Sequence, residues 1–169
     1  LCYGMQLAVI EFARHMAGLK DAHTTEINPQ TKNPVVVIMD EQRKLMADKN
    51  YGGTMRLGAY VCQLKPETIA FDAYKKSGRL AKDNKISERH RHRFEVNPAY
   101  IAKLEKSGLL FSGTSPNGVL MEIVELPKTK HPFFLGTQFH PEFKSSPLNP
   151  HPLFVEFVKS ASQIKSSKN

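Results

Sequence analysis

The run Val35-Val36-Val37-Ile38-Met39 constrains the fold more than any other stretch of the chain. Such a fully apolar run is typical of a buried strand, because a strand with one face in water alternates apolar and polar residues. Upstream of it, residues 4–17 carry apolar side chains at helical spacing, and Gly18 ends that pattern. A helix followed by a buried strand predicts an α/β fold.

The remaining pattern continues this alternation. Residues 21–33 are polar and end in turn residues, and residues 40–53 are charged and end in glycine, so we predict a mobile surface loop at 40–53. Together the elements predict one α/β domain over residues 1–169 with a mixed sheet. The other predicted elements are strands at 57–64, 88–96, 109–112, 120–126 and 133–139 and helices that begin at Pro98 and Pro152.

Composition narrows the class of protein. The apolar fraction of 40% over 169 residues is enough for a hydrophobic core without disulfides. No apolar run approaches the roughly 20 residues of a membrane span, and no signal peptide is visible. The two cysteines indicate free thiols in a reducing compartment, so we expect a cytoplasmic protein with no membrane partner.

Cys2 has the setting of a nucleophile. A turn into the helix at 4–17 would place its thiol at a helix N-terminus, which favours the thiolate. The backbone N–H of Tyr3 would then point to a developing oxyanion, and Gly4 would leave space for a tight crossing. The alternative is a buried core cysteine, which Cys62, between Val61 and Leu64, fits well.

His140 and Glu142 supply the partners that a thiol nucleophile needs. His140 follows an apolar strand and should emerge at the edge where the active sites of α/β sheets lie. With Pro141 stiffening the turn, Glu142 can accept from the imidazole and fix its tautomer. A surface histidine beside a surface carboxylate is the alternative. Together with Cys2, the pair predicts an acyl-transfer enzyme that works through a thioester.

These residues resemble the triad (class I) glutamine amidotransferases, through Leu1-Cys2-Tyr3-Gly4-Met5-Gln6 and Gln138-Phe139-His140-Pro141-Glu142-Phe143. Three further blocks, named at the end of this paragraph, look like the branch of that family that aminates UTP to CTP. The third of them, from Glu88 to Asn97 with the Pro98 that follows, looks more like the eukaryotic versions of that branch. At the position of Tyr3, a leucine is more usual in that branch of the family. The blocks are Thr25-Glu26, Gly52-Gly53-Thr54-Met55-Arg56-Leu57-Gly58 and Glu88-Arg89-His90-Arg91-His92-Arg93-Phe94-Glu95-Val96-Asn97.

The resemblance implies a fold and a set of roles. The fold would be class I glutamine amidotransferase-like (flavodoxin-like), with three layers and a mixed, mainly parallel central sheet. Cys2, His140 and Glu142 would be the catalytic triad that hydrolyses L-glutamine. Glu26 would bind the α-ammonium group of the substrate and Arg93 would help to hold its α-carboxylate. The other residues implied to line the glutamine site are Tyr3, Gly4, Met5 and Gln6.

The resemblance also implies what lies outside this chain. Cys2 has no strand before it, so we expect a longer protein whose glycine-rich oxyanion loop and synthetase domain precede Leu1. ATP, Mg²⁺ and UTP would bind that domain, and GTP would be an allosteric activator. The glutaminase domain itself would need no cofactor or metal. The whole enzyme would be a homotetramer, and this piece by itself a monomer.

The net charge of +8 raises the question of nucleic acid. On a strand, Arg89, Arg91 and Arg93 would share one face, but no aromatic side chain is expected beside them for base stacking. We therefore expect no nucleic-acid partner and interpret the other lysines as solvated. For Arg56, the glycine-bracketed block suggests a lid or domain junction that responds to GTP, with a surface residue on a turn as the alternative.

Other functions stay open at this point. The GMP-forming branch of the same family and the free-standing γ-glutamyl hydrolases share the triad, although residues 52–58 and 88–97 argue against both. The non-enzyme alternative is a catalytically inactive interaction module. The joint presence of Cys2, His140 and Glu142 argues against it.

Overall fold

The computed structural model describes residues 1–38 and 55–166 of the chain. The loop predicted at 40–53 and the glycine-rich start of the block at 52–58 lie outside the described residues. The helices are α1 (Tyr3–His15), α2 (Ile69–Lys76), α3 (Pro98–Lys106), α4 (Pro152–Ser166) and the 3-10 helix Pro141–Lys144. The strands are β1 (Ala22–Thr24), β2 (Asn33–Ile38), β3 (Arg56–Leu64), β4 (Lys85–His92), β5 (Phe94–Val96), β6 (Leu110–Thr114), β7 (Met121–Glu125) and β8 (Leu135–Thr137).

These strands form two sheets. The larger has the order β4-β3-β6-β7-β8, and each of its neighbouring pairs is antiparallel. The smaller has the order β1-β2-β5, with β1 and β2 parallel and β2 and β5 antiparallel. The α/β class with mixed pairing is therefore confirmed. The expectation of mainly parallel pairing is wrong for the described strands, because tight turns such as the one between β6 and β7 reverse the chain.

Helices cover both faces of the larger sheet. On one face, Met5, Val9 and Ala13 of α1 pack in a core that includes Val124 of β7. On the other face, Ala70 and Tyr74 of α2, Leu153 of α4 and Ile123 of β7 belong to a second core. Neighbouring residues of a strand point to opposite faces, so β7 contributes to both cores. The expected three layers are present.

The predicted alternation of side chains between two faces is found along residues 88–92, but the predicted strand at 88–96 is two strands in the structure, β4 and β5. Along β4 the even-numbered residues from Ile86 to His92 are buried, whereas Arg89 and Arg91 are exposed. The chain leaves the larger sheet at Arg93 and enters the smaller one as β5. Arg93 therefore lies at the junction between the two sheets.

Three elements have no counterpart among the sequence predictions: the three-residue β1, helix α2 and the 3-10 helix Pro141–Lys144. Thr68 caps α2, its hydroxyl accepting from the backbone N–H of Phe71 at 3.2 Å. The predicted strand at 133–139 is shorter in the structure, because a turn at 132–133 precedes β8 and bends at 138–139 lead from it to the 3-10 helix. Of the helices in the described ranges, none is both long and apolar enough to cross a membrane.

Candidate active site

Cys2 lies at the turn that begins helix α1. Its backbone has a φ of +46° and a ψ of −106°, values that a residue other than glycine adopts at the cost of strain. The Cys2 N–H donates to the Thr137 carbonyl of β8 at 2.6 Å, which anchors the turn to the sheet. The thiol is half-buried. This is the strained turn that holds a nucleophile at the start of a helix.

Two influences on the Cys2 thiol oppose each other. Partial burial disfavours the thiolate, whereas hydrogen bonds from the Tyr3 backbone N–H and from Gln138 favour it. Burial is the larger effect, so the pKa of Cys2 is raised. The backbone N–H at the helix N-terminus favours the thiolate, as expected, but burial outweighs it in the ligand-free site, so a base that takes the proton assists attack by the sulfur.

His140 and Glu142 have the geometry of a base and its orienter. His140 is the cap of the 3-10 helix, and its Nδ1 lies 2.6 Å from Glu142 Oε1. A bond of this kind leaves Nε2 as the nitrogen that exchanges protons. That nitrogen is buried and has no hydrogen-bond partner among the described residues. The Phe143 ring stacks on the imidazole with centroids 5.2 Å apart and holds its plane.

Strand β4 anchors both the segment that carries the nucleophile and the segment that carries the base. It is an edge strand of the larger sheet, so one row of its backbone groups is available to other elements. The Cys2 thiol lies 3.9 Å from the Arg91 carbonyl, and the His140 N–H donates to the Arg89 carbonyl at 2.8 Å. Carbonyls two residues apart on a strand are about 7 Å from each other. Cys2 and His140 are thus attached to adjacent points of one edge.

A pocket of about 540 Å³ opens in front of Cys2. Arg91 lines it with one guanidinium, and Glu26 and Arg93 add a pair of opposite charges. This pair suits the two charged ends of a free amino acid, since a guanidinium binds a carboxylate and a carboxylate binds an ammonium group. The remaining lining residues are Tyr3, Gln6, Ile27, Met55, His92 and Phe94.

Gly4 and Met5 are not among the residues that line this pocket. Met5 is fully buried in the core beneath α1. Gly4 is exposed, and a Cβ atom built on it would meet nothing within 4 Å. No described residue meets a carbon added at Gly4, and both the tight crossing there and a glutamine contact by Gly4 or Met5 stay predictions.

Gln138 is a site residue that sequence reasoning missed. It is fully buried, and its Nε2 lies 3.5 Å from the Cys2 sulfur. Its position two residues before His140, with Phe139 pointing to the core between them, was the available signal, because alternate strand residues share a face.

Arg56 lies in a buried cluster and not on the surface. Its guanidinium donates to Glu95 Oε1 at 3.1 Å and to Glu122 Oε1 at 2.9 Å, and it covers the Tyr60 ring at 4.6 Å. Only 11% of its side chain is exposed. The alternative of a surface residue on a turn is wrong, because Arg56 is the first residue of β3 and donates to two interior carboxyl groups. Its role in a lid or domain junction that responds to GTP stays a prediction.

Two histidines complete the cluster and remain neutral. Burial and then the charge of Arg56 lower the pKa of His90 to about 2 and that of His92 to about 3. Burial raises the pKa of Glu95 to about 8, although Arg56 opposes the shift. His92 also lines the pocket, so the cluster forms part of its floor. In the described ranges no three His, Cys, Asp or Glu side chains are grouped as a metal ion would need.

A second recess of about 530 Å³ lies on the same side of β4 as the exposed arginines. Its lining includes Arg89, Arg91, Leu57 and Phe143. The expectation that no aromatic side chain lies beside these arginines is wrong, because the 3-10 helix brings Phe143 to them.

Comparison with known proteins identifies the family. The model of the family described as "Glutamine amidotransferase class-I" matches residues 1–160. The chain belongs to this family. Among individual proteins, the CTP synthase of Pelotomaculum thermopropionicum is 54% identical over 99% of this chain, which corresponds to 29% of that protein. The CTP synthase of Nitratidesulfovibrio vulgaris strain DP4 is 51% identical over 99% of this chain and 30% of its own length.

A solved structure shows the same architecture. The glutaminase domain of Trypanosoma brucei CTPS with bound acivicin has a TM-score of 0.80 and 40% identity, over 96% of this chain and 58% of that one. The expectation of a eukaryotic-like chain stays a prediction. This chain spans less than a third of the length of those curated relatives.

Proposed function

We propose that this chain is the glutaminase domain of a CTP synthase and that it hydrolyses L-glutamine with Cys2, His140 and Glu142. The observation that carries the proposal is the half-buried Cys2 thiol at a strained helix start, in a pocket that offers Glu26 and Arg93 to an amino acid. Identity of 54% with a CTP synthase supports the choice of this branch over the GMP-forming one and the γ-glutamyl hydrolases.

The chemistry follows from the site. Cys2 is protonated at rest, so His140 accepts its proton as the sulfur attacks the side-chain carbonyl carbon of glutamine. The Tyr3 N–H, which lies beside the sulfur, is the donor that would stabilise the oxygen as it becomes negative. The tetrahedral intermediate collapses, its C–N bond breaks, and His140 returns the proton to the leaving ammonia. Water, deprotonated by His140, then attacks the thioester, and glutamate and the free thiol are released.

The fate of the ammonia belongs to the whole protein. We propose that ammonia passes to a synthetase domain of the same chain, which binds ATP, Mg²⁺ and UTP and replaces the 4-oxygen of UTP. A homotetramer built through that domain, with this part making few contacts, fits the class. The two free thiols suit action in the cytoplasm, and we expect no nucleic-acid or membrane partner.

GTP is proposed to act next to the glutamine pocket and not inside it. The recess with Arg89, Arg91 and Phe143 offers two guanidiniums to a triphosphate and an aromatic ring to a base. Its residues adjoin the site directly, because the carbonyls of Arg89 and Arg91 hold His140 and Cys2. In the intact protein, Arg89→Ala should reduce the ratio of glutaminase rates with and without GTP. An unchanged ratio would remove this recess as the GTP site.

Labelling with acivicin tests the glutaminase proposal. Intact protein is treated with the electrophile, with and without excess L-glutamine, and the adduct is located by peptide mapping. We expect one adduct on Cys2 that glutamine prevents, none on Cys62, and no adduct at either residue in the Cys2→Ala variant. Cys62→Ala is the matched control and should still be labelled on Cys2. Equal labelling of both thiols, or none, would favour an inactive interaction module.

A further inference from the structure

Gln138 is held rigidly beside the nucleophile. Its backbone N–H donates to the Glu122 carbonyl at 2.8 Å, and its side chain is fully buried. The side-chain nitrogen lies 3.5 Å from the Cys2 sulfur, which is hydrogen-bond distance for a sulfur acceptor. The triad mechanism described above does not use this contact.

The orientation of the Gln138 amide follows from a chain of contacts. The Phe94 carbonyl can only accept, so the Gln6 atom 2.9 Å from it is the NH₂ nitrogen. That nitrogen also lies 3.2 Å from Gln138, which must therefore present its oxygen to Gln6. The NH₂ group of Gln138 is then left facing Cys2. The amide cannot be turned round without placing two NH₂ groups against each other.

The same contacts restrict what Gln6 can do for a substrate. Both hydrogens of its NH₂ group are directed to interior acceptors, at Phe94 and Gln138. Gln6 also lines the pocket, so the group that it can offer there is its carbonyl oxygen. Its amide nitrogen is committed to orienting Gln138.

We propose that Gln138 is a further catalytic residue, whose amide N–H donates to the Cys2 sulfur and stabilises the charge that the sulfur carries during attack and release, with Gln6 as the residue that positions this amide. A hydrogen bond to sulfur strengthens as negative charge develops on it, so the contact favours the transition state over the resting thiol. The direction of the influence of Gln138 on the pKa of Cys2, which is to lower it, agrees. The inference rests on the proposed role of Cys2.

The test measures how the alkylation rate of Cys2 by iodoacetamide depends on pH, in the intact protein and with peptide mapping of the adduct. Gln138→Met keeps the length of the side chain and removes the donor. Gln6→Glu places an acceptor where the NH₂ group was, so the Gln138 amide should turn and face the sulfur with its oxygen. Both variants should move the inflection to higher pH and slow alkylation below it about tenfold. Gln30→Met and Gln30→Glu make the same changes at an exposed position and should follow the wild type.

Kinetics give a second readout that a merely structural role would not produce. Gln138→Met should lower kcat for glutamine hydrolysis with a much smaller change in KM, because the contact strengthens only in the transition state. An inflection that stays at the wild-type pH in Gln138→Met, or in Gln6→Glu if the first variant does not fold, overturns the inference. Failure of wild-type Cys2 to take acivicin would instead overturn the proposed function.

Discussion

Cys2 begins helix α1 at a positive φ and leaves its thiol half-buried at the edge of a pocket, whereas Cys62 lies within β3 and has no exposed surface. Burial raises the pKa of both thiols. At Cys2 the hydrogen bonds from Tyr3 and Gln138 oppose that effect. At Cys62 the charges of Glu122 and Glu88 add to it.

The difference shows that the groups in contact with a thiol set its reactivity. Cys2 faces N–H donors and is attached to the same edge of β4 as His140. Cys62 faces the Cα of Gly113 and the side chain of Ile123, and it has no space for an incoming carbonyl group. The first thiol can give up its proton and attack, and the second packs as a small apolar residue.

The largest expected effect separates the two thiols by activity. Cys2→Ala should lower glutaminase activity of the intact protein about 10³-fold or more, because the covalent route is lost. Cys62→Ala should keep activity within about twofold and cost ~1–2 kcal/mol of stability through the small cavity it leaves. Ammonia release at saturating glutamine, with urea unfolding in parallel, measures both. Similar losses of activity in the two variants would contradict the comparison.

The next effect tests whether the surroundings of Cys2 make it reactive. His140→Asn should lower kcat about 10²–10⁴-fold, the usual contribution of a general base. Glu142→Gln should also lower kcat, by up to about 10⁴-fold, because the imidazole loses the carboxylate at 2.6 Å that stabilises its charged form. His15→Asn and Glu11→Gln alter an exposed His–Glu pair on α1 and serve as matched controls. Wild-type kcat in His140→Asn would exclude this residue as the base.

Local signals account for the parts of this site that could be predicted from sequence. Helix α1 has apolar residues at helical spacing, α3 has Pro98 at its start, and His140 and Glu142 are two positions apart. Helix α2 was missed although Thr68 caps it locally, and a contact from far along the chain adds to that cap: the Glu125 carboxylate accepts from the backbone N–H groups of Ile69 at 2.7 Å and Ala70 at 3.0 Å. No spacing in the sequence predicts the contact of Glu125 with the start of α2.

The burial of Arg56 and the place of Gln138 in the site were not predicted from the sequence, for a related reason. The glycine-bracketed sequence around Arg56 suggests an exposed loop, and its burial depends on Glu95 and Glu122, which come from two other strands. Gln138 becomes a site residue only through Cys2 and Gln6, at the opposite end of the chain. Contacts between distant segments decide the surroundings of a side chain, whereas sequence patterns report its local conformation.

A smaller effect tests whether Cys62 belongs to the packed core. A Cβ at Gly113 would lie 2.7 Å from Ile123 Cγ1 and 2.8 Å from the Cys62 sulfur. Gly113→Ala should therefore lower the free energy of unfolding by ~1–3 kcal/mol, and adding Cys62→Ala should restore part of that loss. Gly4→Ala is the control, since nothing lies within 4 Å of the added carbon and stability should rise by about 0.5–1 kcal/mol. Urea midpoints measure all three, and strict additivity of the first two changes would contradict the contact.

The smallest expected effect is the dependence of stability on pH. Cys62 can report it, because this buried thiol should react only when the protein unfolds. The pKa values of His90 and His92 are lowered to about 2 and about 3, so below their unfolded value near 6.5 the unfolded chain binds two protons that the native one does not. Glu95, raised to about 8, binds one proton in the native state that the unfolded chain releases above about 4.5. Stability should therefore rise with pH from about pH 3, more steeply below about pH 4.5 than above it, to a maximum near pH 6.5, and fall by ~1 kcal/mol per unit towards pH 8. Urea midpoints read by Cys62 labelling should show this maximum. In Glu95→Gln the fall above pH 6.5 should weaken, and an unchanged fall would assign it to other groups.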